Sequence, residues 1–168
     1  MPTIIAEFAS AGRDVFYAGI RMAASRPRQF QASLEQFSEL RDHAERSCAE
    51  AGFERAAVDR LVLVLEELFA NTVEHGYSRM AGTSAERPVW LTISAAMGRV
   101  EVTYEDAGPE YDPFTKAATP DYAGPVDSWQ IGGLGIALVI RLGRNVRYER
   151  QDGRNRIRFT ILGSAPGA

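Results

Sequence analysis

The chain has 168 residues, of which 45% are hydrophobic and 24% charged, as expected for one soluble globular domain with a single core. The formal net charge of −3 provides no basic field for nucleic acid, and no long apolar run or leader peptide predicts membrane insertion. A single lysine, Lys116, excludes a P-loop of the GxxxxGK[ST] type, and a single cysteine, Cys48, excludes an internal disulfide. We expect a cytoplasmic protein without nucleic-acid or membrane partners.

The first 26 residues carry no visible chemistry and are predicted to be an N-terminal extension. Thr3–Phe8 is compatible with a short strand and Asp14–Ala24 with a weak helix. Pro27 separates this extension from the main domain, which we expect to cover residues 27–164.

The main domain is predicted to begin with a short strand and a helix. Arg28–Ala32 alternates in polarity, and Ser33 then has the spacing of an N-cap, with a glutamine three residues later as in a capping box. The predicted helix covers Leu34–Ala51, and Gly52 is expected to end it as a C′ residue. Apolar residues recur along this helix at its period: Leu34, Phe37, Leu40, Ala44 and Cys48.

A second helix is predicted to begin near residue 54 and to contain Leu61–Tyr77, with Gly76 as its end. Helical spacing places four polar residues on one stripe of this otherwise apolar segment. Considered alone, the stripe is more often a solvated helix face than a site. Its members are Glu67, Asn71, Glu74 and His75.

Two strands and a long loop follow. Alternating residues predict a hairpin made of Val89–Ser94 and Val100–Glu105, joined by a turn at Gly98. The second strand continues into Asp106-Ala107-Gly108. The proline-rich stretch Pro109–Gln130 is then predicted to be a loop, and loops of this length are more often functional than incidental.

The C-terminal part contains a glycine-rich turn, a third helix and a second hairpin. Residues 131–135 (IGGLG) open the helix Ile136–Leu142. Strands Val146–Arg150 and Arg156–Leu162 follow, joined by a strong turn signal, Asp152-Gly153. This order predicts an α+β fold, a two-layer α/β sandwich. Its mixed, mostly antiparallel sheet of about five strands is covered on one face by three helices.

Three polar elements are candidates for chemistry, and each has an ordinary structural alternative. Asp106 is suited to accept a hydrogen bond from an exocyclic amine, or it simply caps a turn. The glycines before the third helix allow a phosphate to approach its free amides, or they form a flexible turn. Asn71 offers an oxygen to Mg²⁺, and Glu67, one turn earlier, is placed to orient or deprotonate a hydroxyl.

These segments together resemble a known family. EELFANTVEHGY, YEDAGPEYDPF and IGGLGIALVIRL are similar to the N box and the two glycine boxes of the GHKL ATPase superfamily (Bergerat ATP-binding fold). Within it, the spacing of Glu67, Asn71 and His75 and the run from Asp106 to Pro113 resemble the RsbW-like anti-sigma factor serine/threonine-protein kinases. The similarity covers about residues 28–162.

The resemblance implies roles for individual residues. Asn71 would ligate Mg²⁺, Asp106 would bind the adenine amine of ATP, and Glu67 would be the general base toward a serine hydroxyl. His75 would help to order the phosphate side or be structural. Residues that would frame the nucleotide are Gly108, Gly132, Gly133, Leu134 and Gly135, with residues 109–131 as the lid.

The resemblance also implies the partners. The phosphorylated protein would be an anti-sigma factor antagonist of the STAS type, and a sigma factor and a second copy of the chain are further candidates. Many family members start the last strand with a Gly-Thr-Thr-like turn, whereas this chain has Arg154-Asn155-Arg156. Two hypotheses therefore stand: an ATP-dependent kinase in partner switching, or a nucleotide-binding module that sequesters a protein without phosphotransfer.

Overall fold

The N-terminal part of the structure is a small hairpin. The computed structural model describes residues 15–17, 20–22, 26–79, 86–96, 98–115 and 134–163. Strands β1 (Val15–Tyr17) and β2 (Ile20–Met22) pair in antiparallel fashion. The helix predicted over residues 14–24 is therefore wrong, since paired backbone hydrogen bonds replace a weak helical pattern. The strand predicted at residues 3–8 lies outside the described residues.

The domain is built on a five-stranded sheet with the order β3-β4-β5-β7-β6. Every pairing described in it is antiparallel, so the mixed character that we predicted is absent from these strands. The second hairpin turns at Asp152 and Gly153, which have φ of 51° and 77°, as its sequence predicts. The strands are β3 (Arg28–Gln31), β4 (Pro88–Ala96), β5 (Arg99–Asp106), β6 (Arg144–Gln151) and β7 (Arg154–Leu162).

Three α-helices pack together on one face of the sheet, as predicted. They are α1 (Phe37–Glu50), α2 (Arg55–Asn71) and α3 (Leu134–Leu142). Gly52 ends α1 with φ of 74°, which confirms its predicted role. The predicted capping box is wrong, because Ser33 makes no side-chain cap hydrogen bond and precedes a 3₁₀ turn over Leu34–Gln36.

The end of α2 departs from the α-helix that the sequence predicted. Residues Thr72–Gly76 form a wider π-helical turn, and a 3₁₀ turn follows. This widening changes the direction of the side chains after Asn71. Glu74 and His75 are consequently exposed, whereas Thr72 is buried.

The core lies between the helices and the inner face of the sheet. Fully buried members of the core include Leu40, Leu61, Val64, Leu65, Phe69, Leu91, Val100, Tyr104 and Ile161.

In the part of the chain that the structure describes, no helix has the length and apolar character needed to cross a membrane.

Candidate functional site

A cleft is formed by residues of α2, the π-helical turn, the end of β5, the loop that follows it, α3 and β7. The cleft is open to solvent, and its empty volume, with the solvent at its mouth included, is about 370 Å³. Apolar walls with a few convergent polar groups are typical of small-molecule sites. Its lining residues are Leu68, Asn71, Thr72, Gly76, Asp106, Tyr111, Pro113, Ile136, Asn155 and Ile157.

Asp106 is a buried carboxylate in this cleft, with 7% of its surface exposed. Its Oδ1 accepts hydrogen bonds of 2.8 Å from the Gly108 amide and of 2.8 Å from Asn155 Nδ2. Burial raises the pKa of Asp106, and the hydrogen bonds from Asn155, Gly108 and Thr72 and the charge of Arg150 oppose that rise. The bonds from Gly108 and Asn155 both use Oδ1. Because a carboxylate has about four acceptor positions, Asp106 keeps the capacity to accept a further hydrogen bond from a ligand.

The neighbouring carboxylate, Glu105, has a different environment. Because side chains alternate along a strand, Glu105 lies on the opposite face of the sheet from Asp106. It accepts hydrogen bonds from Nε and Nη2 of Arg156 at 3.0 and 2.9 Å. Glu105 is thus neutralised by a guanidinium, and Asp106 is the carboxylate of this pair that faces the cleft.

Asn155 is a site residue that sequence reasoning did not assign. It is 5% exposed and lies directly opposite Asp106 in the pairing of β5 with β7. A signal was present in the sequence: Asn155 occupies the same alternating phase as Ile157, Phe159 and Ile161, which predicts an inward position. At the start of the last strand, where the sequence departs from the family pattern, Asn155 thus lines the cleft beside Asp106.

Two buried tyrosines support the end of β5 from behind. The Tyr104 hydroxyl donates to Thr72 Oγ1 at 2.9 Å, and Thr72 in turn hydrogen-bonds Asp106. The Tyr77 hydroxyl donates to the Pro88 carbonyl at 2.6 Å and accepts from the Ala107 amide at 2.8 Å. Burial raises the pKa of Tyr77 to about 12, so it stays a neutral donor.

Gly108 is required by close packing around Asp106. A Cβ on Gly108 would lie 2.9 Å from Asp106 Oδ1 and 3.5 Å from the backbone of Gly76. The first contact is closer than side chains allow. The predicted glycine therefore makes room for the carboxylate itself and for the π-helical turn.

Asn71 lies half-buried at the end of α2 and lines the cleft. Its Nδ2 donates to the Glu67 carbonyl at 2.7 Å. This bond directs the nitrogen to the helix backbone and leaves Oδ1 as the group available to a cation. One protein oxygen suits Mg²⁺, which usually keeps several waters and binds substrate phosphates. No cluster of three or more His, Cys, Asp or Glu residues suited to a metal occurs among the described residues.

Glu67 and Gly135, predicted in separate motifs, are in contact. A Cβ built on Gly135 would lie 2.7 Å from Cδ of Glu67 and closer still to its Oε2. The absence of a side chain at Gly135 thus allows the carboxylate to reach the first turn of α3. Negative charge is favourable at that end of a helix.

The remaining predicted residues are distributed as follows. His75 is exposed and does not line the cleft, so its role stays a prediction. Glu66, the carboxylate next to Glu67, is also exposed. Gly132 and Gly133 lie outside the described residues, and Leu134 begins α3.

Comparisons with known proteins agree with this architecture. Residues 30–161 match the family described as histidine kinase-like ATPase domain. The serine/threonine-protein kinase BtrW of Bordetella bronchiseptica is 32% identical over 100 residues, which are 60% of this chain and 67% of that protein.

A solved structure has the same fold. The RsbU and RsbW domains of Rv1364c from Mycobacterium tuberculosis align with a TM-score of 0.53 and 20% identity. The alignment covers 87% of this chain, which spans about a third (35%) of the length of the solved chain. The similarity therefore concerns one domain of a longer protein.

Proposed function

Because this chain belongs to the histidine kinase-like ATPase domain family, we propose that it is an ATP-dependent serine/threonine-protein kinase of the partner-switching type. Its acceptor would be a serine on an anti-sigma factor antagonist. The relationship to a named serine/threonine-protein kinase supports this proposal. The arrangement of Asp106, Asn71 and Glu67 supports it independently.

The base of ATP would lie at the buried end of the cleft. Asp106 accepts a hydrogen bond from the exocyclic amine of adenine, and its burial strengthens that bond relative to one in water. Leu68, Ile136 and Ile157 provide apolar surface for a flat ring.

The phosphates would lie toward Asn71 and the N-terminus of α3. Asn71 Oδ1 would hold Mg²⁺, which neutralises phosphate charge when bound. Glu67 accepts the proton of the attacking serine hydroxyl. The serine oxygen then bonds to the γ-phosphorus, and the bond to the bridging oxygen breaks, so that ADP leaves with the electron pair.

One observation carries the proposal: a buried carboxylate that can accept a further hydrogen bond and an asparagine line one cleft. The carboxylate is Asp106, and the asparagine is Asn71, whose nitrogen is already bonded to the helix backbone. Glu67 lies one helical turn before Asn71, at the border with α3.

The test combines calorimetry with a phosphotransfer assay. The unmodified protein is expected to bind Mg-ATP, and Asn71→Ala and Asp106→Ala to bind it weakly. Glu67→Ala should bind ATP yet fail to phosphorylate an antagonist protein. The matched control is Glu66→Ala, which removes the adjacent, exposed carboxylate. No nucleotide binding by the unmodified protein would refute the proposal.

A non-catalytic nucleotide-dependent sequestering module is the second candidate. One observation favours it: the residues that line the cleft do not include Glu67, the proposed general base. This candidate predicts that Glu67→Ala leaves partner binding unchanged in ATP and in ADP. It also predicts that no phosphoserine forms on any partner that the protein binds.

A further inference from the structure

We propose that Asn155 is a positioning residue for purine recognition, which holds Oδ1 of Asp106 and so orients the carboxylate toward the six-amino group of the base. This inference rests on the proposed nucleotide binding and extends it. It assigns the preference for a six-aminopurine to a pair of residues, one on each of two adjacent strands.

The first argument is that the orientation of the Asn155 amide is determined by its neighbours. Its Nδ2 donates to Asp106 Oδ1 at 2.8 Å and to the Pro109 carbonyl at 2.9 Å. Its Oδ1 accepts from the Tyr148 hydroxyl at 2.9 Å and from Arg150 Nη1 at 2.9 Å. Exchanging the amide nitrogen and oxygen would oppose acceptor to acceptor and donor to donor, so only one orientation fits.

The second argument concerns the carboxylate. Asp106 Oδ1 receives hydrogen bonds from both Asn155 and the Gly108 amide. Two donors on one oxygen fix the plane of the carboxylate. A cross-strand pair is also rigid, because the register of β5 and β7 sets the distance between the two backbones. Removing the amide would free the carboxylate to turn away from a base.

The third argument concerns the loop after β5. Asn155 Oδ1 also accepts from the Tyr111 amide at 3.2 Å, and Arg150 Nη1 donates to the Gly108 carbonyl at 2.8 Å. Tyr111 lines the cleft. A threonine or serine hydroxyl has a single proton to donate, whereas the asparagine amide binds Asp106 and the loop at the same time.

The experiment compares two nucleotides that differ only in the six-amino group. ADP has this group, and purine riboside 5′-diphosphate lacks it. The unmodified protein is expected to bind ADP at least about tenfold more tightly, as a hydrogen bond to a buried charge would produce. Asn155→Ala should weaken ADP binding by about that factor and leave the affinity for the analogue almost unchanged. The ratio of the ADP affinity to the analogue affinity should then approach one.

A second variant tests the amide proton itself. Asn155→Asp keeps the shape of the side chain but places a second carboxyl against Asp106. In this variant the ratio of the ADP affinity to the analogue affinity should also fall at neutral pH. It should recover at lower pH, when the two carboxyls share a proton. Thr160→Ala is the matched control, because Thr160 lies on the same strand as Asn155 but in the opposite alternating phase. It is expected to preserve the ratio.

The outcomes separate this inference from the proposed function. If Asn155→Ala lowers the affinity for both nucleotides by the same factor, Asn155 only stabilises the structure, and the inference is overturned. Failure of the unmodified protein to bind either nucleotide would instead refute the proposed function. If Asn155→Ala does not fold, the side-chain amide resonances of Asn155 in the unmodified protein decide. ADP should shift them more than the analogue does, and equal shifts would overturn the inference.

Discussion

The two ends of the cleft are built in different ways. At the base end, Asp106, Asn155 and Gly108 lie on or beside adjacent strands, are buried, and are fixed by hydrogen bonds of 2.8 to 3.5 Å. At the proposed phosphate end, Asn71 lines the cleft and Glu67 lies beside it on the same helix, and both are only half-buried. A glycine contact and one side-chain bond to the helix backbone hold them. The proposed base end is thus organised by several hydrogen bonds within the chain, whereas the proposed phosphate end is held by fewer contacts.

The largest effect is expected from Glu67→Gln, which tests whether the phosphate end performs chemistry. The amide has the shape of the carboxylate but cannot accept the serine proton. Phosphotransfer should fall by about 10²–10⁴-fold, while ATP binding stays within about twofold. A single-turnover assay with a serine-containing antagonist measures the first quantity and calorimetry the second. Undiminished transfer would remove Glu67 from its proposed role.

The next effect is expected from Gly135→Ala, which places a methyl group against the Glu67 carboxylate. A displacement of about 1 Å at a reacting group costs about a hundredfold in rate. Phosphotransfer should therefore fall by roughly that factor. Adding Glu67→Asp shortens the side chain and should restore part of the rate.

A thermodynamic measurement supports the same contact without any activity assay. In a Glu67→Ala background, Gly135→Ala should increase the free energy of unfolding by up to about 1 kcal/mol, since alanine favours a helix more than glycine does. In the unmodified background the clash with Glu67 should cancel that gain. Equal changes in free energy in both backgrounds would show that the two residues do not interact.

The base end is tested by Asp106→Asn. The amide of the variant satisfies Asn155 and Gly108 through its oxygen but presents a donor to the adenine amine. ADP affinity should fall by about tenfold to a hundredfold, the value of a hydrogen bond to a charged group. Because burial raises the pKa of Asp106, the neutral variant should melt at the same temperature or higher. A lower melting temperature would indicate that the carboxylate stabilises the fold.

The sequence predicted the two ends to different extents. Asp106 and Gly108 were predicted from their position at a strand end, and Glu67 and Asn71 from helical spacing. Asn155 was noted only as a departure from the family pattern, because its partner lies 49 residues earlier in the chain. That contact depends on the register of β5 and β7, which single-sequence patterns do not specify.

The π-helical turn was missed for a related reason. Residues 72–76 continue the polar and apolar pattern of α2, so the sequence predicted one helix up to Gly76. Tertiary contacts decide instead: Thr72 is drawn inward to Tyr104 and Asp106, and Gly76 packs against Gly108. The short helix predicted within residues 14–24 failed because its local propensity was weak and β-pairing satisfied the same backbone groups.

The smallest effect is expected from pH, and its sign is specific to Asp106. The folded-state pKa lies above the unfolded value of about 4, so the group's contribution to stability is present below pH 4 and is lost as pH rises through the folded pKa. Nucleotide binding needs the ionised carboxylate and should change in the opposite direction. As pH falls from 7 toward the folded pKa of Asp106, ADP should lose affinity relative to purine riboside 5′-diphosphate, which carries the same diphosphate but no six-amino group. Calorimetry over this range, with Asp106→Asn as the control, measures both quantities. Parallel pH profiles for the two nucleotides would show that Asp106 does not contact the six-amino group. The base end would then contribute only the shape of the cleft, and the hydrogen bonds around Asp106 would stabilise the fold without recognising the base.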